Sequence, residues 1–499
     1  LSSFKLINIV ENFYNQIIKN LYSNNLFLNH KKKFYYNDIL LYFNNFKKFI
    51  LQQNKKKLRI ATISKKSFSL YSSIVSILLT QNTWVPLDDD LPINVIKFIL
   101  KDSKTNLALV DSESEKKFGS LLRKLKIKYK NIDNFIQKKK TKISKSFNID
   151  FKVSKRNIAM IFYTSGSTGM PKGVKMSNEN FISSLNGQIQ HIFSHLNEKK
   201  LIFGDYHNTS FVISLNILLP CIYLGAEISP AISLKDRLFP LDHIKKNKVN
   251  CIVTLPSTIS RLRLSGLKKN DIKLDGLLIC GETFYYDTLK FIISKIAPKH
   301  LFNCYGSTEL SPWVFSYKFN HKDLNHIKKI GLVPIGQNFF NTKIRIHKKL
   351  LLVSGLMVNN YLERKNNLQN HLKINQKNYY CTNDIIKKYN ELYYVMGRSD
   401  SVVKIRGYRI ELKGIESRIR GFKNVTNTFV FVHGKKIIAA IETNKINQEI
   451  FKNKIRDYLV DNLPNYMIPN DFIIHLKFPI NKSYKVNRFL IKKNYNLNL

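Results

Sequence analysis

The residues best suited to chemistry begin with Thr164-Ser165-Gly166-Ser167-Thr168-Gly169-Met170-Pro171-Lys172-Gly173, a run of small, hydroxylated and glycine residues holding one lysine. Glycines let a backbone approach an anion closely. Backbone N–H groups and Ser/Thr hydroxyls donate to phosphate oxygens, and the lysine offsets their charge. No Gly-Lys-Ser/Thr closes the run, so it is not a Walker loop. A solvated linker has a similar composition, so the loop gains weight only from its surroundings. A second polar turn, Tyr305-Gly306-Ser307-Thr308-Glu309, supplies a ring that can lie against a nucleobase, a hydroxyl for a phosphate and a carboxylate for Mg²⁺. Its bland counterpart is a β-turn with an exposed acid. A third group, Asp384, follows Tyr380-Cys381-Thr382-Asn383 and is a natural acceptor for two ribose hydroxyls. Asn383 tolerates positive φ better than most residues, so a tight turn can form there.

These groups need a frame that delivers them to one edge. Ile158 to Phe162 reads as a buried strand entering the first loop. A helix is predicted to open near Ser177, with Phe181, Ile182, Leu185 and Ile189 on one face. Upstream, Leu6, Ile9, Val10, Phe13, Ile17 and Leu21 have helical spacing. Residues 58–62 and 107–110 read as strands around a buried helix at 70–79. Residues 112–157, rich in lysine and poorly patterned, read as a variable surface connection. Downstream, three apolar strands at 251–254, 277–280 and 301–304 each end in a polar or glycine turn, the second in Gly281-Glu282. Alternating strands and helices predict an α/β fold with parallel sheet, whose ligands bind where strands deliver such loops. From Gly397-Arg398-Ser399-Asp400 onward the pattern changes to a strand pair with a glycine turn at Gly407, then helix, hairpin and helix. This predicts a small α+β domain over 400–499 after a large domain over 1–399.

Composition bounds the partners. A net charge of +48 over 499 residues suggests nucleic acid or an acidic partner. The lysines are spread along the chain with Asn and Ile, as in an AT-biased sequence, and no nucleic-acid module accompanies them. That argues against nucleic-acid binding and leaves an acidic protein as the more natural partner. No apolar run is long enough to cross a bilayer, and residues 1–20 lack the plan of a signal peptide. Five scattered cysteines fit a reducing, cytoplasmic setting.

Taken in order, these motifs resemble those of the adenylate-forming superfamily, which includes acyl-CoA synthetases, luciferases and adenylation domains of peptide synthetases. The resemblance covers about residues 30–490. It includes Val333-Pro334-Ile335-Gly336 with Asn341-Thr342, and Val402 to Glu411. Its last motif is Pro479-Ile480-Asn481-Lys482-Ser483-Tyr484-Lys485-Val486-Asn487-Arg488. The chain departs from the family pattern at Asn383 and Tyr484, where glycine is usual, and at Asn487 in place of aspartate.

The resemblance implies that a carboxylate and MgATP give an acyl-AMP and pyrophosphate, after which a thiol takes the acyl group. Thr164, Ser165, Gly166, Ser167, Thr168, Gly169 and Lys172 would hold the β- and γ-phosphates. Gly281, Glu282, Tyr305 and Gly306 would frame the nucleotide, with Tyr305 on adenine. Thr308 would meet the α-phosphate, Glu309 would bind Mg²⁺, and Asp384 and Arg398 would hold the ribose. Lys485 would bridge the substrate carboxylate and α-phosphate. Asp400 would be a hinge that exchanges Lys485 for the Gly407 face in a mobile C-terminal domain.

The acyl pocket carried over by the same resemblance comprises Val212, Ile213, Asn216, Thr254, Leu278, Cys280, Cys304, Pro312 and Trp313. Amino-acid adenylation domains place an aspartate where this chain has Val212. An α-ammonium is therefore disfavoured, unless Asp205 or Glu282 reaches it from another side. The expected substrate is a small or medium acyl, hydroxyacyl or aryl acid. With no carrier or condensation motif before Leu499, the expectation is a stand-alone enzyme loading the phosphopantetheine thiol of a separate, acidic carrier protein. The alternatives are a CoA ligase and a degraded, non-catalytic nucleotide-binding paralogue.

Overall fold

Apolar residues spaced by two or by three and four build most of the chain's regular structure. A computed structural model describes residues 3–30, 32–53, 57–136, 153–164, 170–196, 200–340, 342–362, 371–399, 402–444, 447–479 and 486–497. Ser165, Gly166, Ser167, Thr168, Gly169, Asp400 and Lys485 lie outside them, as do Asn341 and Tyr484. The chain forms two units. The first comprises Leu1–Asp89, Leu100–Phe162 and Gly173–Ser399; the second comprises Asp90–Ile99, Tyr163–Lys172 and Asp400–Leu499.

The first unit holds a nine-stranded sheet whose centre runs parallel in the order His300–Gly306, Gly276–Cys280, Cys251–Thr254, Ile202–Asp205, Glu227–Pro230 and Leu26–Asn29. Antiparallel strands close both edges, with Trp313–Lys318 next to His300–Gly306. Parallel strands buried on both faces read as continuous apolar runs, and Cys251–Thr254 and Gly276–Cys280 are buried throughout. A seven-stranded sheet includes Arg59–Ile63, Thr83–Leu87, Leu107–Val110 and Ile158–Thr164. A third, five-stranded sheet is antiparallel and includes Leu350–Gly355, Lys377–Tyr389 and Leu392–Arg398.

Several predicted elements appear with small boundary shifts. The opening helix spans Ser3–Leu21 and the buried helix Phe68–Leu79. Ser177 caps Asn178–His191, its side chain accepting from the Asn180 N–H. The lysine-rich stretch after residue 111 departs from expectation. Ser112–Lys124 is a helix and Lys128–Asn131 an edge strand of the seven-stranded sheet. Phe118, Leu121 and Leu122 form its buried stripe at helical spacing, and the surrounding charges had masked that signal.

The second unit contains the hairpin Val402–Ile405/Tyr408–Glu411 and a three-stranded sheet of Val425–His433, Lys436–Thr443 and Asp471–His475. Helices Leu412–Arg420 and Gln448–Asn462 pack into one core with Ile410, Val430 and Ile441. The hairpin turns through Arg406 at φ 50° and Gly407 at φ 80°, both left-handed as a two-residue hairpin turn requires. Among the described residues no helix is long and apolar enough to cross a membrane.

Candidate active site

Gly281-Glu282 and the Ser307-Thr308-Glu309 turn follow the C-terminal ends of parallel strands, whereas Asp384, expected after a tight turn, lies within the antiparallel strand Lys377–Tyr389. His300–Gly306 delivers Tyr305 and then a short 3-10 turn at Thr308–Leu310. Gly306 is required by close approach: a Cβ there would sit 1.9 Å from the Pro312 carbonyl oxygen. Tyr305 donates its hydroxyl to Asp384 Oδ2, while Arg398 Nη1 lies 2.8 Å from Asp384 Oδ1. Asp384 and Arg398 face each other across adjacent antiparallel strands. Their side chains are 6% and 11% exposed, so solvent screens the pair little. Burial, and then the Asp384 charge, push the Tyr305 hydroxyl far above its usual range. Each Asp384 oxygen keeps capacity for a second hydrogen bond, as two ribose hydroxyls would need. Asn383, in the position that the motif usually gives to glycine, has φ 61°.

Glu309 is 1% exposed and accepts the Tyr361 hydroxyl at 2.7 Å. The Asn359 side chain donates to the Thr308 carbonyl at 2.7 Å, and its backbone N–H to the Glu309 carbonyl at 2.8 Å. This clamp from residues 359–361 was not anticipated. The stretch Asn359-Asn360-Tyr361 follows an apolar strand, but its spacing says nothing of the 308–309 turn. Among the described residues no three His, Cys, Asp or Glu side chains group as a metal site. One carboxylate is still compatible with Mg²⁺, which commonly takes its other ligands from substrate phosphates and water.

Other predicted residues fall as follows. Thr164 ends its strand half-buried, and Lys172 Nζ lies 3.2 Å from Glu411 Oε1 within the second unit. Gly281 has φ 78°. Glu282 accepts the Ser257 N–H at 2.9 Å, an acid at the N-terminus of the Pro256–Leu264 helix.

The acyl-pocket candidates come from two directions. Val212 and Ile213 lie in a 3-10 turn that runs into the Leu215–Leu224 helix, with Asn216 in its first turn. From the sheet, Cys280 and Cys304 pair in register, and Trp313 pairs with Gly306. Cys280 Sγ lies 3.7 Å from the Thr254 carbonyl. Val212, Ile213, Leu278, Cys280, Cys304 and Trp313 share one apolar core, and Pro312 is buried beside Trp313.

The acid nearest in sequence to this turn, Asp205, is already paired. Lys66 Nζ lies 2.9 Å from its Oδ1 and the Tyr71 hydroxyl 2.6 Å from its Oδ2, all buried. Burial lowers the Lys66 pKa against the pull of Asp205. Next to them His207 bonds the Val253 carbonyl at 3.1 Å. Burial first, then the Lys66 charge, push it down to about 4. Neither Lys66 nor Tyr71 carried a recognisable signal in the sequence, because their partner is more than 130 positions away.

The family profile described as AMP-binding enzyme matches residues 22–351. A D-alanine–D-alanyl carrier protein ligase from Lactococcus lactis is 25% identical over 479 residues, covering 92% of this chain and 93% of the relative. A protein of the same name from Bacillus licheniformis is 28% identical, covering 67% of this chain and 70% of the relative. Bacitracin synthase 3 of Bacillus licheniformis is 26% identical over 86% of this chain, which spans only 7% of that protein. Among solved structures, an adenylation domain from Vibrio cholerae in complex with glycyl-adenosine-5'-phosphate superimposes with TM-score 0.80 at 18% identity, covering 97% and 98% of the two chains. An o-succinylbenzoate CoA synthetase from Bacillus subtilis gives 0.78 at 19%, covering 96% and 98%. With the family profile matching well over half its length, the chain belongs to the AMP-binding enzyme family.

Proposed function

We propose that this chain is an AMP-forming acid–thiol ligase that activates a carboxylic acid and passes it to the phosphopantetheine thiol of a separate carrier protein. The observation that carries this is the buried Tyr305–Asp384–Arg398 network, set beside the clamped Thr308–Glu309 turn at the C-terminal edge of parallel strands. A carboxylate oxygen attacks the α-phosphorus of ATP and pyrophosphate leaves with the bonding pair. The thiol then attacks the acyl carbon, loses its proton, and AMP departs. The first step needs positioning and charge neutralisation more than a general base.

In this scheme Thr164 to Lys172 cradle the β- and γ-phosphates and Thr308 meets the α-phosphate. Asp384 and Arg398 hold the ribose, and Tyr305 borders the adenine. Gly281, Glu282 and Gly306 shape the surrounding turns. Glu309 would hold Mg²⁺, which supplies charge stabilisation at the phosphate oxygens. Lys485 belongs to the domain 400–499 and neutralises charge in the adenylating step. Asp400 is the hinge at which the Gly407 turn replaces it for thiol transfer. The carrier-protein acceptor is supported by the ligases of that specificity among the relatives, and an acidic carrier would complement the net charge of +48. Five buried free thiols suit a reducing cytoplasm. The acid lacks an α-ammonium: Val212 offers no counter-charge, Asp205 is paired with Lys66, and Glu282 serves a helix terminus.

A pyrophosphate-exchange screen over carboxylic acids, with carrier protein and CoA compared as acceptors, tests this directly. Lys485→Ala is expected to abolish adenylate formation while sparing transfer from preformed acyl-AMP. Equal loss of both half-reactions would sink the role given to Lys485. Exchange with no acid would leave only the nucleotide-binding paralogue.

A further inference from the structure

Asn216 is the one described carboxamide whose donor and acceptor are both buried and both without a hydrogen-bond partner. It is 0% exposed, in the first turn of the Leu215–Leu224 helix, one turn beyond Val212. The helix follows the C-terminal end of Ile202–Asp205; the adjacent strand Cys251–Thr254 and, beyond it, Gly276–Cys280 end at the same edge of the sheet. Thr254, at the end of the neighbouring strand, repeats the pattern: it is 1% exposed and its hydroxyl also lacks a partner. Val212, Ile213, Leu278 and Trp313, predicted to line the same pocket, belong to one apolar core, and of these only the Trp313 indole N–H is polar.

Buried amides and hydroxyls almost always find partners within a fold, because leaving one unmade forfeits its hydration without return. Two such side chains among the nine predicted to line one pocket point to a ligand that completes them. Building on the adenylation activity above, we propose that the acid carries, away from its carboxylate, a neutral group that both donates and accepts a hydrogen bond, and that Asn216 and Thr254 read it. The carboxamide of Asn216 offers two N–H donors and a carbonyl acceptor, and its complement is a hydroxyl or a second carboxamide. A plain alkyl or aryl end would leave all three polar atoms unsatisfied. An ionised end would be buried beside neutral groups, and the buried Asp205 is already paired with Lys66.

Pyrophosphate exchange by the unmodified enzyme would be compared across acids of equal carbon skeleton that differ only in a far-end hydrogen, hydroxyl or carboxamide. Sites built to bond a substrate hydroxyl discriminate strongly against analogues lacking it. The hydroxylated or amidated acid is therefore expected to be preferred by at least about tenfold in kcat/KM, and the two polar arms tell which group is read. Asn216→Leu, close in size but apolar, should bring that ratio near one. It should also raise the melting temperature, because it removes an unsatisfied buried amide. Equal rates with the plain and polar acids, or a fall in melting temperature for N216L, would overturn the inference. The melting measurement needs no turnover, so it separates a failure here from a failure of the adenylation assignment, which is marked by exchange with no acid at all.

Discussion

The proposed ribose end, where Tyr305 of the nine-stranded sheet meets Asp384 and Arg398 of the five-stranded one, and the proposed acyl end are finished to different degrees. At the proposed ribose end Asp384, Arg398, Tyr305, Glu309 and Asn359 each have a protein partner. Asp384 takes both Arg398 and Tyr305, Glu309 takes Tyr361, and Asn359 ties down the intervening turn. At the acyl end the lining is apolar, and its two polar side chains, Asn216 and Thr254, have none. A shared nucleotide permits a preassembled, self-satisfied network. An acid that differs between relatives is met by a few residues whose bonding is left to the ligand. On the reading proposed above, specificity belongs to the acyl end, and binding strength common to all substrates to the ribose end.

The largest effect should come from breaking the finished end. Asp384→Ala leaves a mostly buried guanidinium and a buried hydroxyl without their partner. We expect it to lower stability by about 3–5 kcal/mol, read by chemical denaturation, and to raise KM for ATP by tenfold or more, on the order of 1.4 kcal/mol. An unchanged KM for ATP would show that the network serves the fold alone.

Next comes His207, whose ring lies 6.0 Å from that of Phe211, the residue before Val212. Its folded pKa of about 4 lies below the ordinary 6.5, so the unfolded chain binds the proton first. The associated stability is present above pH 6.5. It is lost as the pH falls toward 4, by up to ~3 kcal/mol. His207→Gln, which can still donate to the Val253 carbonyl, should lose less stability over that interval than the unmodified protein. Denaturant midpoints at the two ends of the interval give the comparison.

Val212→Asp would make the acyl end more like an ammonium site. The preference for a des-amino acid over its α-amino counterpart is expected to shrink by about tenfold, ~1.4 kcal/mol, in matched pyrophosphate-exchange assays. An α-amino acid as the best substrate of the unmodified enzyme would transfer the ammonium site to another acid. The smallest effect belongs to the strand position before Asp384: Asn383→Ala should lower stability by about 1 kcal/mol because φ there is left-handed, while Asn383→Gly should leave the melting temperature nearly unchanged.

Much of this molecule was legible along the chain because its signals are local. Strand periods, the Ser177 cap, the Gly407 turn and the tolerance of Asn383 for positive φ each depend on neighbours within a few residues. The order of motifs then identified the family without reference to any distance. Tertiary structure decided which groups are already committed. Asp205 appeared free to meet an ammonium until the fold brought Lys66 and Tyr71 to it. Glu309 appeared to be a lone acid until Tyr361 reached it from another sheet. Asn216 read as an ordinary lining residue, and only complete burial without a partner made it informative. Hydrogen bonding and desolvation are properties of what surrounds an atom in space, and for these residues the surroundings come from strands and helices far apart in the chain.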